Sequence, residues 1–435
     1  MIRSFTTSRS EIAGVPVAEL AREFGTPTYV YDAAVILERL ADLQAFDHVR
    51  YAQKACSNLA ILDLLRRHGA VVDAVSAGEI RRAMAAGYAC HGTPPPIVYT
   101  ADIFDAEAMD LCVEHKLHVN CGSPDMIEQL GRRAPGSEIT LRVNPGFGHG
   151  HSRKTNTGGD QSKHGIWHEQ LGQCKATSER LGVTIRGIHM HIGSGTDLDH
   201  LSQVCAALEQ AALKIGPTVH SISAGGGLPT LYKAGDTYVD LAAYYRLWDD
   251  TRCRLAKNFG HAVHLEIEPG RYLVAESGYL ISEIRSVKQQ GERWFYIVDA
   301  GFNNLARPIL YGSYHPLSVV GRSALHGCDS DGNALPRMRD VIVGGPLCES
   351  GDIFTQEEGG FVTTRSLPEA QVGDLVVIEC AGAYGFVMGS NYNSKPLAAE
   401  VLVQDGQPQL IRRRQTFEDL VRGEVIPRNG LGIRD

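Results

Sequence analysis

No stretch of the 435 residues approaches the ~18 apolar residues that a membrane-crossing helix needs, so no such helix is expected. The opening "MIRSFTTSRSEIAGVP" lacks the apolar core of a secretory signal, and export is not expected either. Positive charge is in deficit. Lys and Arg number 42 against 50 Asp and Glu, a formal charge of −8, which argues against a nucleic-acid surface. The ten cysteines run from Cys56 to Cys380 without a single C-x-x-C pair. Without an export signal they read as reduced thiols of a cytoplasmic protein. Internal repeats and low-complexity linkers are missing too, so two domains of ordinary size, packed tightly, are expected. The basic run Arg412–Arg414 reads as a solvated face at a helix start, with Thr416 a candidate N-cap.

What the chain does have is alternation. β-rich runs stand at "VRYAQKA" (49–55), "VVDAVS" (71–76), "PIVYTA" (96–101) and "LHVNC" (117–121). They continue at "ITLRVN" (139–144), "TIRGIHMHIG" (184–193), "VHSISAGGG" (219–227) and "AVHLEIEPG" (262–270). Amphipathic segments lie between them. "SNLAILDLLRRHG" places Leu59, Leu62 and Leu65 at helical spacing with Gly69 as a stop. Strand alternating with helix predicts parallel strands and right-handed crossovers. Eight such units predict an α/β fold, a closed (β/α)8 TIM-like barrel over 30–283, with an open doubly wound sheet as the rival. Beyond 283, "RWFYIVDAGF", "RDVIVGGPLC", "GDLVVIECAG" and "AAEVLVQDG" are strands with few helices between them. They predict a separate all-β, sandwich- or barrel-like domain over 284–435, joined by residues 1–29 through the strand "TPTYVYD".

A barrel carries its chemistry at the C-terminal ends of its strands. Here those ends hold Lys54, then Asp73 and Ser76, Arg142 and Asn144, and His189 and His191 followed by "GSG". Gly225, Gly226 and Gly227 come next, then Glu268, Pro269, Gly270 and Arg271. Each alone has a plain reading: a turn, a core histidine, a structural carboxylate, a lysine at an exposed strand end. Alternate strand residues face opposite sides, so His189 and His191 should not share one metal ion, and no metal site is expected. Together the residues suit pyridoxal 5′-phosphate (PLP). That cofactor needs an amine for a Schiff base (Lys54), a phosphate nest (the glycines with Ser194) and a partner for its ring nitrogen (Glu268).

The motifs "YAQKACSN", "LRVNPGFG", "SKHGI", "HMHIGSG", "SAGGGL" and "EPGRYLVAESG" follow one another in the barrel segment. "DAGFNNLARPILYGSYHP", "GPLCESGD" and "GAYGFVMGSNYNSKP" follow beyond it. In this order the chain resembles the alanine-racemase-like, barrel-fold PLP-dependent decarboxylases, and among them those acting on diaminopimelate. The resemblance implies decarboxylation of meso-2,6-diaminopimelate to L-lysine and CO2, the last step of lysine synthesis. It implies Lys54 as the Schiff-base lysine, His191 stacked on the ring and Glu268 on the ring nitrogen. Ser194, Gly225–Gly227, Gly270, Arg271 and Tyr384 would lie around the phosphate, with Asp73 and Arg142 as supports near the lysine. Arg271, Arg307, Tyr311 and Tyr384 would meet the substrate's distal carboxylate and Glu349 its distal ammonium, while Cys348 would return a proton. A homodimer with shared active sites is implied as well. Arg307 and Tyr311 in "ARPILY" favour a substrate with a second carboxylate over ornithine or arginine, whose decarboxylases are the alternative. A non-catalytic PLP-binding homologue is the remaining rival; such chains are a bare barrel, without a β domain.

Overall fold

The computed structural model describes residues 5–148, 158–191, 197–321 and 337–426. Ser194 lies outside the described residues. The chain divides into two compact units, one holding Asp32–Gly278 with Cys380–Val387, the other Thr6–Tyr31, Tyr279–Glu379 and the described residues from Met388 on.

The first unit is a closed barrel of eight parallel strands. They are β1 (His48–Ala52), β2 (Val71–Ala74), β3 (Ile97–Ala101), β4 (His118–Cys121), β5 (Glu138–Asn144), β6 (Thr184–His189), β7 (Ser221–Ser223) and β8 (His264–Ile267). Each pairs with the next, and β8 returns to β1 through Glu266↔His48 and Ile267↔Val49, so the open-sheet rival does not apply. The helices start on side-chain caps. Asn58, Ser76, Asp105 and Asp240 each accept a backbone N–H of the first turn, satisfying donors that a helix start leaves unpaired.

Strand lengths depart from the sequence reading at the mouth. β1 stops at Ala52 and Gln53–Ala55 form a 3₁₀ turn, held by the buried Gln53 side-chain amide, which donates to Asp73 O of β2 (3.2 Å) and to Glu79 O (3.1 Å). β7 keeps three residues, and Gly225, two residues past its end, takes φ +63°. The helix after β1 buries Ile61, Leu62, Leu64 and Leu65 and leaves Leu59 exposed, so its inner face is not the expected Leu59–Leu62–Leu65 line.

The second unit is a mixed sheet with short helices beside it. Its order is Arg365–Pro368, Met338–Gly344, Arg293–Val298, Gly278–Gln290, Thr28–Asp32, Ala399–Gln404 and Gln407–Arg412. Leu375–Ile378 pairs with both Gly278–Gln290 and Leu317–Val320. "TPTYVYD" thus supplies an interior strand. Ile12, Val17, Leu20, Val30, Ile281, Val377 and Val401 close one core. The basic run is a solvated face only at Arg413, while Arg412 and Arg414 are partly buried. Arg412 donates to Glu400, Arg413 to Asp419, and Arg414 to Thr28 Oγ1 (3.0 Å) and Phe24 O (3.2 Å). Thr416 caps Phe417–Val421 in a capping box with Asp419.

Candidate active site

Lys54 is exposed in the turn that follows β1. The turn is fixed from both sides. Ala52 N donates to Pro269 O (3.1 Å), and Tyr384 N donates to Ala55 O (2.8 Å). A Cβ on Gly270 would stand 3.2–3.3 Å from Ala52 and Ala55, so glycine lets the end of β8 approach the lysine turn. Asp73, buried at the end of β2, has Oδ1 without a hydrogen-bond partner among the described residues. Burial and the Glu268 charge raise its pKa, against the pull of Lys54.

Glu268 is the electrostatic centre of the mouth. Ser223 Oγ donates to its Oε1 (2.7 Å), and His189 Nε2 lies 3.1 Å from its Oε2. Asn120 Nδ2 donates to His189 Nδ1 (3.0 Å). Burial alone would lift this carboxyl's pKa, but the electrostatic pull of His189, the hydrogen bond from Ser223, and Arg50 more than offset it. Glu268 is held well below the usual carboxylate range. Ser223 Oγ also accepts Gly225 N (3.2 Å), tying the carboxylate to the glycine run. A Cβ on Gly225 would stand 2.7 Å from His191 Cβ, and one on Gly226 would stand 2.6 Å from Glu268 O. At these positions the run is bare backbone packed against His191 and the end of β8, with no room for a side chain. Beneath it, inside the barrel, a cavity of about 50 Å³ is lined by Arg50, His118, Asn120, Thr140, Ser223 and Glu266.

His191 follows the end of β6 rather than lying within it. Burial first, then the charges of Arg142 and Lys54, push its pKa well below that of a free imidazole, so the ring is neutral. Arg142 is buried in β5, where it pairs in register with His189. Arg271 Nη1 donates to Tyr232 Oη (3.2 Å), and its guanidinium lies 5.4 Å from the Tyr384 ring centroid. Tyr384 takes φ +57°, an uncommon backbone state for a bulky residue.

The other expected substrate residues belong to the second unit. Arg307 opens the five-residue helix Arg307–Tyr311 and is buried, with Nη2 donating to Ser313 Oγ (3.1 Å). Tyr311, four residues on, shares that helix face. Cys348 and Glu349 are exposed in a turn after Met338–Gly344. Buried Asp352 shapes this turn by accepting Leu347 N (2.8 Å) and Phe302 N (2.7 Å), and Asn393 Oδ1 accepts Cys348 N (2.8 Å).

The barrel unit thus gathers Lys54, Asp73, Arg142, His191, Gly225–Gly227, Glu268, Gly270, Arg271 and Tyr384. Sequence reasoning gave no task to His189, Asn120 or Ser223. The available signal was register, since His189 pairs with Ser223 across β6 and β7. No group of three or more His, Cys, Asp or Glu among the described residues is arranged to hold a metal ion. The donor set fits PLP: an exposed amine, a carboxylate kept anionic, and a bare glycine backbone closed to any Cβ.

The chain is similar to known proteins over most of its length. Residues 35–275 match the family model described as "Pyridoxal-dependent decarboxylase, pyridoxal binding domain". Diaminopimelate decarboxylase of Escherichia coli K12 is 51% identical over 428 residues, covering 98% of this chain and all of that protein. A crystal structure of a diaminopimelate decarboxylase superposes with a TM-score of 0.88 at 52% identity, covering 93% of this chain and 94% of the other. The enzyme of M. jannaschii, solved in co-complex with L-lysine, gives 0.84 at 26% identity, covering 98% of each chain. The chain belongs to the PLP-dependent decarboxylases, and within them to the diaminopimelate decarboxylase family.

Proposed function

We infer that the chain decarboxylates meso-2,6-diaminopimelate, releasing CO2 and L-lysine. The observation that carries the chemistry is Glu268, a buried carboxylate kept charged beside a bare glycine run at the mouth that also presents Lys54. The family match gives the substrate. Bound here, PLP supplies an electron-withdrawing ring that makes loss of the substrate's α-carboxyl feasible.

The chain's residues divide the remaining work. Lys54 offers its amine to anchor the cofactor, with Asp73 and Arg142 setting the charge around it. Glu268 faces the ring nitrogen, and an anion there favours the protonated, more electron-withdrawing ring. His191, neutral, covers the ring without adding a second charge. Gly225, Gly226 and Gly227 give backbone N–H groups to the phosphate, with Ser194, Gly270, Arg271 and Tyr384 around them.

Arg307 and Tyr311, with Arg271 and Tyr384, grip the distal carboxylate, for which an arginine fork is suited. Glu349 takes the distal ammonium, and the Cys348 thiol delivers a proton to the α-carbon. We further propose a homodimer in which Cys348 and Glu349 complete the partner subunit's site. Their exposure within their own unit supports this. The nine described cysteines are all free thiols, which fits our placement in the reducing cytoplasm.

The test is CO2 release from meso-diaminopimelate by the PLP-loaded protein, beside ornithine, arginine and lysine. The expected outcome is turnover of diaminopimelate with the highest kcat/KM. Preference for ornithine, or no CO2 from any of the four, would refute the reading.

A further inference from the structure

The mouth contains one device that the reaction as described does not use. Glu268 has two carboxylate oxygens, and each faces a different strand of the barrel. Oε1 accepts Ser223 Oγ from β7 at 2.7 Å, and Oε2 is met by His189 Nε2 from β6 at 3.1 Å. The His189 approach lacks the line of a good hydrogen bond, so this contact is electrostatic first. Asn120, on β4, settles which side of the imidazole carries the proton. Its amide nitrogen donates into Nδ1, which must then accept, and the ring proton stays on Nε2, towards Glu268. All four side chains are at least nine-tenths buried, so water does little to screen them.

The other groups facing Glu268 do not do the same work. Arg50, on β1, pairs with Glu266, its Nε and Nη2 each 3.0 Å from Oε2, so much of its charge is matched. Asp73, on β2, carries the same sign as Glu268 and opposes its ionisation. His191 is neutral, its charged form disfavoured by burial and by Arg142. Lys54 lies outside in the exposed turn. Arg50 adds some positive potential from farther off, and the groups that meet the carboxylate directly are His189 and Ser223.

We propose that His189, oriented by Asn120, is a positioning residue that acts with Ser223 to keep Glu268 a carboxylate aimed at the ring nitrogen of the cofactor. This rests on the assignment of Glu268 to that nitrogen. Without His189, a proton shared between carboxyl and ring would move toward the carboxyl. The ring nitrogen would then be neutral at a pH where it is now protonated. The effect reaches the chemistry only through Glu268, so it should appear on the cofactor's ring even with no substrate present.

The experiment loads the full-length protein with PLP labelled with nitrogen-15 in the ring and follows the ring-nitrogen chemical shift from pH 6 to pH 9. The unsubstituted protein should give the protonated shift. In His189→Leu the protonation midpoint should fall by about one pH unit or more, the scale on which a buried carboxylate responds to losing a close electrostatic partner. Ser223→Ala should move it the same way, and His189→Gln, which keeps an N–H donor, should recover part of the fall. A merely structural role would lower the melting temperature or the cofactor occupancy without moving this midpoint. A midpoint within about 0.3 pH unit of the unsubstituted protein in both His189→Leu and Ser223→Ala would overturn the proposal. Ser223→Ala removes one hydroxyl, and it decides the matter if His189→Leu fails to fold. Glu268→Gln is run beside them. If it too leaves the ring protonated, the assignment of Glu268 is what fails, whatever the other variants do.

Discussion

Gly226→Ala tests the glycine run with one methyl group. A Cβ at this position would stand 2.6 Å from the carbonyl oxygen of Glu268, 0.8 Å inside the 3.4 Å edge of ordinary contact. The opposing atom is backbone at the end of β8, and it cannot swing away as a side-chain tip could. The two segments are also tied by Glu268 N donating to Gly225 O at 2.8 Å. Gly226 does not have a positive φ, so backbone strain does not confuse the result. Relief must come from moving the glycine run off β8, which spoils the spacing between Glu268 and the backbone N–H groups. Overpacking of this kind costs about 1–3 kcal/mol. Expressed in the cradle, that weakens PLP binding by roughly five- to 150-fold. The assay is fluorescence titration of the apoprotein with PLP, with a thermal melt of each variant. Gly172→Ala is the control. Its Cβ would meet only Lys214 Cε at 3.8 Å, and PLP affinity should not change. If Gly226→Ala binds PLP within about two-fold of the unsubstituted protein, the phosphate does not sit on these glycines.

Lys54→Ala should lose the visible absorbance of bound cofactor after dialysis and release no CO2, with the melting temperature kept; wild-type turnover would make Lys54 an ordinary exposed lysine. Arg307→Ala should raise KM for diaminopimelate by roughly thirty-fold or more, the low end of the about 2–5 kcal/mol for unpairing a buried charge. Its PLP affinity should hold, and equal loss of cofactor would point to a folding role instead. Mixing Lys54→Ala with Cys348→Ala, each first shown inactive, should restore about a quarter of wild-type activity as subunits exchange, because half the dimers are mixed and each has one intact site of two. Exchange without recovery would place Cys348 in its own subunit's site. His118 titrates at about 4 in the fold, lowered by burial and then Arg50, against about 6.5 when unfolded. The unfolded chain therefore binds more protons between these values, and stability falls as pH drops through them. In His118→Gln the loss of unfolding free energy from pH 7 to pH 5 should shrink by up to about 2 kcal/mol in urea melts, and an unchanged loss would show the histidine to be hydrated.

The barrel was legible because its signal is long-range order. Eight β-rich runs separated by amphipathic segments leave few arrangements, and parallel pairing with crossovers selects among them. Strand ends were less legible, because side chains decide them. Nothing in "YAQKA" says that the Gln53 amide will bond to Asp73 O and Glu79 O and turn the chain out of the sheet. The helix after β1 was misread for a related reason. Its inner face depends on which neighbours surround it, and these bury Ile61 and Leu64 while leaving Leu59 outside. Arg413 is solvated as its sequence suggests, but Arg412 and Arg414 are partly buried, which was not legible because their partners Glu400, Thr28 and Phe24 are distant or unremarkable in sequence.

The site divides along the same line. Lys54, the glycine run and Glu268 announce themselves because each is costly or odd where it stands: an amine closing a strand, three glycines together, a carboxylate ending a buried strand. Their supports do not. Ser223 and Asn120 are common residues, and His189 was passed over as the lesser of two histidines. Their importance comes from register, which sets His189 opposite Ser223 and brings both to the carboxylate ending the next strand. A residue that touches cofactor must have particular chemistry, and sequence records it. A residue that holds another in its charge state needs only one donor in the right direction, which several side chains can supply. The barrel's pairing, more than the identity of Ser223 or His189, makes Glu268 an anion in a place where burial alone would have neutralised it.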